Sequence, residues 1–262
     1  MLNLKNIEII IEDKLGTVWL NQPDIRNALN LATIEELIEA FKWLNEHKKL
    51  MIIMIRGRGK SFCSGADINW MKNSHTSGYK KCYSDSRKLA TCFKLIYKSD
   101  KVVINLVHGD IFGGGLGFIG AGDLTLALKN STFCLPELRL GLVPSVIMPY
   151  LLTRVSQADI KYQIFSGEVF NSEEALQKGL IDKVCEDFND MELKANELIQ
   201  HILMSSPQAL TETKQLLRAL NKNNINSDYI NKTVKTITKM KMSDDAVARM
   251  TKFLSKKITS IT

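Results

Sequence analysis

Val102-Val103-Ile104-Asn105-Leu106-Val107, running straight into His108-Gly109-Asp110-Ile111-Phe112-Gly113-Gly114-Gly115, is the stretch whose reading decides the fold. A β-branched apolar run of this length reads as a strand, and the helical stretch Arg87–Tyr97 leads into it. The loop after it is rich in glycine, which lets a ligand approach the backbone and frees N–H groups to point at it. An earlier pair has the same layout. Met51–Ile55 is a continuous apolar run, as expected of a strand buried on both faces, and Ser61-Phe62-Cys63-Ser64-Gly65-Ala66-Asp67-Ile68 follows it. Ligands of open α/β sheets bind beyond the carboxyl ends of the strands, where such loops lie. Two of them side by side are able to aim two amides at one oxygen, the construction of an oxyanion hole. Glycine runs also mark tight helix–strand packing, but two of them, each placed after a strand, favour a site.

Outward from these segments the pattern extends in both directions. Ile7–Ile11 and Thr17–Leu20 are β-rich runs on either side of the turn-like Asp13–Gly16. Thr33, with Glu36 three residues on, reads as an N-cap, and Ile34, Leu37, Ile38, Phe41 and Leu44 recur at helical spacing behind it. Leu124–Leu128 and Phe133–Leu135 are short strands. Strands alternating with helices predict α/β architecture with a largely parallel sheet. After about residue 190 only helices are expected, over Met191–Ser205, Ala209–Leu220, Ser227–Met242 and Ser243–Lys256, with Met191, Met204, Met240, Met242 and Met250 as core fillers. The expected organisation is an α/β core over 1–190 and a helical region over 191–262.

Gly115-Leu116-Gly117-Phe118-Ile119-Gly120 matches the dinucleotide fingerprint by its letters. That fingerprint needs a crossover helix of about ten residues or more before the next strand. Here Asp123 and Leu124–Leu128 follow after barely two turns, so a nicotinamide cofactor is not expected. The candidate acid lies in Phe133-Cys134-Leu135-Pro136-Glu137-Leu138-Arg139. Burial of Glu137 would raise its pKa and suit it to proton transfer near neutrality. The alternative is a solvent-facing Glu137 paired with Arg139.

Composition bounds the rest. Hydrophobic content of 45% and charged content of 24% are ordinary for a soluble globular protein. Cys63, Cys82, Cys92, Cys134 and Cys185 have no regular spacing, which fits reduced thiols in a cytoplasmic protein, and the four histidines are too scattered to suggest a metal site. Lys5, Glu8, Glu12, Asp13 and Lys14 interrupt any apolar run near the start, so neither a secretory signal nor a membrane span is expected. The net charge of +7 is dispersed, without a basic-aromatic module, and no nucleic-acid partner is expected.

These segments, in this order, resemble the enoyl-CoA hydratase/isomerase (crotonase) superfamily. The match runs through Ile25-Arg26-Asn27-Ala28-Leu29, Phe62–Ile68, Gly113-Gly114-Gly115, Asp123, Pro136-Glu137, Leu140-Gly141-Leu142-Val143-Pro144, and Ala175 with Gly179–Val184. The resemblance implies a spiral of ββα units with a C-terminal helical region that packs trimers, commonly doubled to hexamers. It implies an acyl-CoA thioester substrate, with coenzyme A part of the substrate rather than a cofactor. Backbone N–H groups of Ser64 and Gly114 are then the expected oxyanion hole, and Glu137 the expected acid/base. Arg26, Ala28, Ala66, Asp67 and Ile68 are expected to line the CoA site. Lys252, Lys256 and Lys257 are candidates to meet the CoA phosphate of a neighbouring subunit. The family's first catalytic glutamate is replaced by Gly117, which is expected to leave room for a bulkier or carboxylate-bearing acyl group. Asp110 and His108 are weaker candidates for proton transfer.

Gly65–Met71 and Gly141–Tyr150 look most like bacterial methylglutaconyl-CoA hydratases. The second stretch is also similar to dehydratases of 3-hydroxy-3-methylglutaryl groups on acyl carrier protein in polyketide β-branching. An enoyl-CoA double-bond isomerase and a homologue that binds acyl-CoA or RNA without turnover are the other readings. Because amides would do the oxyanion work, Ser64→Ala is expected to be mild.

Overall fold

The computed structural model describes residues 2, 4–219 and 227–259. Among the described residues nine strands lie in two sheets: β1 (Ile7–Glu12), β2 (Leu15–Leu20), β3 (Ile52–Gly57), β4 (Val102–Val107), β5 (Asp110–Phe112), β6 (Leu124–Leu128), β7 (Thr132–Cys134), β8 (Phe170–Asn171) and β9 (Lys183–Cys185). The larger sheet has the order β1-β2-β3-β4-β6-β9; only the β1–β2 hairpin is antiparallel in it. The smaller sheet, β5-β7-β8, joins the larger through the short passage from β4 into β5. The mixed α/β fold with a largely parallel sheet is as expected. β4 is buried along its whole length, which explains its unbroken apolar sequence.

The helices preceding the last region are α1 (Leu31–Glu46), α2 (Ile68–Thr76), α3 (Tyr79–Tyr97), α4 (Gly114–Ala121), α5 (Met148–Arg154), α6 (Gln157–Ser166), α7 (Ser172–Gln177) and α8 (Phe188–Leu203). α4 has eight residues, as the short gap before β6 requires. The start of α1 differs from the expectation. Asn30, not Thr33, is the N-cap, its Oδ1 accepting the Thr33 N–H at 2.9 Å. Glu36 does not close a capping box. Its carboxylate gathers the N–H groups of Lys5, Asn6 and Ile7 at 2.7–3.2 Å and so fastens the approach to β1 onto α1. Either polar residue could cap in sequence terms; tertiary contacts gave Glu36 another partner.

Asp123 and Asp182 secure the far side of the sheet. Asp123 Oδ2 accepts the Val103 N–H, and Asp182 Oδ2 accepts the Thr125 N–H at 2.7 Å. Arg154 ties them together, donating to the Leu180 and Asp123 carbonyls and to Asp182.

The chain divides into two compact units, 1–199 and 200–262, and residue 190 lies inside α8. The second unit holds α9 (Pro207–Ala219), α10 (Ser227–Lys241) and α11 (Asp244–Thr259). Here the expected core role of the methionines fails for three of them. Met191 is buried, but Met204, Met242 and Met250 are exposed. On α10, Ile230, Val234 and Ile237 fall at helical spacing and are each more than half exposed. Lys252 is exposed. The side chains of Lys256 and Lys257 lie outside the described residues.

Removing the Arg154 guanidinium would take one donor from each of the Leu180 and Asp123 carbonyls and break the ion pair with Asp182, which would keep the Thr125 N–H. Arg154→Met is expected to lower stability by about 2 kcal/mol, read from the urea unfolding midpoint. An unchanged midpoint would show that this three-way tie contributes nothing.

Candidate active site

The turn after β5 brings the candidate residues together. Gly113 has φ 45°, a left-handed conformation suited to glycine, and its N–H donates to the Cys134 carbonyl at 2.9 Å. That bond fixes the turn to β7, and two residues beyond β7 comes Pro136-Glu137. Glu137 opens a short 3-10 turn that ends at left-handed Gly141. Its Oε1 lies 3.1 Å from the point a Gly113 Cβ would occupy, so the carboxylate sits where a side chain on residue 113 would be. Its Oε2 is buried and has no hydrogen-bond partner among the described residues. Burial pushes the Glu137 pKa upward, against a smaller opposing effect of its own backbone N–H. Arg139 is not its partner; that side chain donates to the Ser166 carbonyl instead.

The first loop is clamped on both sides. Phe62 and Cys63 donate to the His108 and Asp110 carbonyls, and Phe112 donates back to Cys63. On the other side Leu29 N–H donates to the Gly65 carbonyl at 2.7 Å, and Asp67 N–H to the Leu29 carbonyl at 2.9 Å. This makes a parallel bridge between Leu29 and Ala66. In such a bridge the middle residue turns its own N–H to the opposite edge. Among the described residues nothing accepts the Ala66 N–H. Gly114, at the first position of α4, likewise has no intrahelical acceptor for its N–H. The residues preceding these two amides touch: the Gly65 Cα is 4.0 Å from the Gly113 Cβ position.

The expected donor, Ser64, is placed differently. Its N–H donates to the Arg26 carbonyl at 3.0 Å. The alternation of N–H direction along the loop makes Ala66, expected as a wall of the CoA site, the open amide. The parity is invisible in the letters until the Leu29 bridge is known. The other expected lining residues also have particular roles. Asp67 Oδ1 accepts the Trp70 N–H and caps α2, so its carboxylate is used locally. Ala28 is buried, Ile68 is exposed, and the Arg26 side chain pairs with Asp110 at 3.2 Å.

Neither Asp110 nor His108 is set up for proton transfer. Asp110 also accepts from Ser61 and Thr132. His108 bonds the Gly59 carbonyl through Nε2, stacks edge-on to Phe188, and is held toward its neutral form by burial.

Gly117 does not open space for an acyl group. A Cβ there would lie 2.5 Å from Phe93 Cζ and 2.7 Å from Ile147 Cγ2, and both side chains are buried. The room vacated by a larger residue is already filled from α3 and from the segment before α5. Among the described residues no cluster of three or more His, Cys, Asp or Glu is placed to hold a metal, and no helix is long and apolar enough to cross a membrane.

Two sheets feeding amide-bearing loops, with the half-buried Glu137 carboxylate against the Gly113 turn, define the candidate site. The chain belongs to the enoyl-CoA hydratase/isomerase family, whose model matches residues 11–260. It is 30% identical over 218 residues to the short-chain-enoyl-CoA hydratase of Clostridium acetobutylicum, covering 82% of each chain. It is 33% identical over 182 residues to the crotonyl-CoA hydratase of Syntrophomonas wolfei, covering 69% of each. Its structure superposes on an enoyl-CoA hydratase from Shewanella pealeana with a TM-score of 0.92 at 28% identity, over 97% of this chain and 95% of the other. The fold is that of crotonases, and relatives with these names are consistent with a hydro-lyase.

The Gly117 contacts give a steric test. Gly117→Ala is expected to destabilise the protein by about 1–3 kcal/mol. Adding Phe93→Leu should recover part of the loss in a double-mutant cycle followed by thermal unfolding. Equal stability of wild type and Gly117→Ala would refute the close packing.

Proposed function

We propose that this protein catalyses reversible addition of water across the 2,3 double bond of an enoyl-CoA thioester. The observation that carries the reading is the half-buried Glu137, whose Oε2 is buried without a partner among the described residues, near the open Ala66 and Gly114 amides. The thioester oxygen sits between these two N–H groups, which stabilise the enolate that forms as water adds at C3. One such donor is worth about 2.7–4 kcal/mol in the transition state. Ionised Glu137 takes a proton from the attacking water and returns it to C2, so one carboxylate completes the proton balance. In the dehydrating direction it removes the C2 proton and delivers it to the departing hydroxyl. Its raised pKa suits this double duty, because the group must be basic enough to take the proton and acidic enough to give it back near neutral pH.

The acyl group we favour is short and branched, 3-methylglutaconyl-CoA being the candidate to which Gly65–Met71 and Gly141–Tyr150 point. The same group on a carrier protein, run in the dehydrating direction, is the companion possibility. Room at Gly117 is no longer an argument for it, since Phe93 and Ile147 fill that space. A second reading, the double-bond isomerase, is favoured by the same filling: with no second carboxylate there, a single acid that moves one proton suffices. The exposed Ile230, Val234 and Ile237 stripe supports assembly as a trimer or hexamer, and sedimentation velocity at micromolar concentration tests it.

Glu137→Gln is expected to lower the hydration rate roughly 10²- to 10⁴-fold. The assay is steady-state hydration of C4 to C8 enoyl-CoAs, including 3-methylglutaconyl-CoA and its carrier-protein form, with 3-enoyl substrates to reveal isomerisation. A rate within threefold of wild type would remove Glu137 from the chemistry.

The pH profile is a separate check. The upward shift means the ionised base is lost at a higher pH than for an ordinary glutamate. So kcat/KM should fall on acidification with a midpoint above the usual carboxylate range. A midpoint inside that range would show that burial does not tune this group.

A further inference from the structure

Asn27 stands out among the residues that touch no proposed reacting atom. It is buried, with 2% exposure, and lies in the left-handed region at φ 54° directly after Arg26 at φ 51°. Two successive left-handed residues other than glycine are uncommon, although asparagine tolerates the region better than most. Its side chain explains how the turn persists. Oδ1 accepts the Gln22 N–H at 2.8 Å, and Nδ2 donates to the Arg58 carbonyl at 2.9 Å and to the Ser61 carbonyl at 2.8 Å. The two carbonyls bound by Nδ2 bracket the segment that leaves β3 and feeds Phe62–Ala66.

The neighbours of Asn27 continue the same grip. The Arg26 carbonyl accepts the Ser64 N–H, and Leu29 holds Gly65 and Asp67 through the Ala66 bridge. The Arg26 side chain reaches Asp110, which also accepts from Ser61. Residues 26–29 therefore act as a template along which residues 58–67 are laid. Asn27 is the member of that template that holds the loop with a buried side chain.

We infer that Asn27 is a positioning residue that aims the Ala66 amide at the thioester oxygen, acting through the Arg58 and Ser61 carbonyls. The inference rests on the hydration reading above. It assigns to Asn27 no contact with substrate. A displaced donor weakens the transition state more than the ground state, so the signature is a loss in kcat with little change in KM.

The experiment compares wild type, Asn27→Gly and Asn27→Asp. Glycine accepts the left-handed backbone and deletes all three side-chain bonds. Aspartate keeps the shape and the acceptor and loses both donors. The first readout is steady-state hydration of an enoyl-CoA that the wild type turns over. The second is the absorption of a bound dienoyl-CoA, whose band moves to longer wavelength when its carbonyl is polarised by hydrogen-bond donors. The third is the pH profile of kcat/KM, which reports on Glu137.

Both variants should lose kcat by about 10²-fold, the scale expected of a misplaced catalytic group. Their KM and dienoyl-CoA Kd should stay within threefold of wild type, the red shift should shrink, and the acidic midpoint should not move. Retained kcat and red shift in the variants would overturn the inference. So would a loss confined to KM, or variants that show no cooperative unfolding, since Asn27 would then serve binding or the fold as a whole. A wild type with neither turnover nor red shift would instead overturn the hydration reading itself.

Discussion

Two backbone amides can share one oxygen only if the loops that carry them meet without side chains in between. That steric condition governs the architecture of residues 1–199. Gly65 and Gly113 come within contact distance, and a Cβ on Gly65 would lie 3.1 Å from the Phe112 carbonyl. The buried strands β3 and β4 deliver the two loops side by side, in parallel register from Ile52–Val102 to Ile55–Asn105. The smaller sheet then sets the third component, because the Gly113–Cys134 bond places β7, and hence Glu137, against the same turn. Helix α4 begins at that turn and runs back through the core, which is why its sequence carries no polar side chain.

What could be read from the letters and what could not divides along physical lines. β4 was legible because burial on both faces demands an uninterrupted apolar run, and the short α4 because chain length forbids a longer crossover. Glu137 was legible as a candidate acid because its neighbours are apolar, but the letters left a pairing with Arg139 open until the structure drew that side chain to the Ser166 carbonyl. The identity of the open amide was not, since N–H groups alternate in direction and only the Leu29 bridge fixes whether residue 64 or 66 faces the site. Gly117 misled for a related reason. A missing side chain suggests empty space, but packed interiors fill such space, and the buried Phe93 that fills it arrives from a different helix, out of sight of residues 113–117.

The filled space beside Gly117 and the unpartnered Oε2 of Glu137 bear on each other. An apolar wall leaves this carboxylate without a second acid to share a water, so its own desolvation becomes the main control on its basicity. The chemistry then depends on how well a single proton carrier is aligned with the two amides. That puts weight on residues such as Asn27 and Asp110, whose side chains hold the loops in place.

The open amide of Ala66 has a consequence for how such a site is inherited. A peptide N–H is the same whatever letter the gene specifies at that codon, so nucleotide change at position 66 can alter the side chain while leaving the donor intact. Selection on the donor is felt elsewhere, at Gly65, Leu29 and Asn27, whose replacement would turn or shift the peptide plane. The hereditary record of this donor is thus kept by its neighbours, and a scan that swaps one side chain at a time would pass over the residue that carries it.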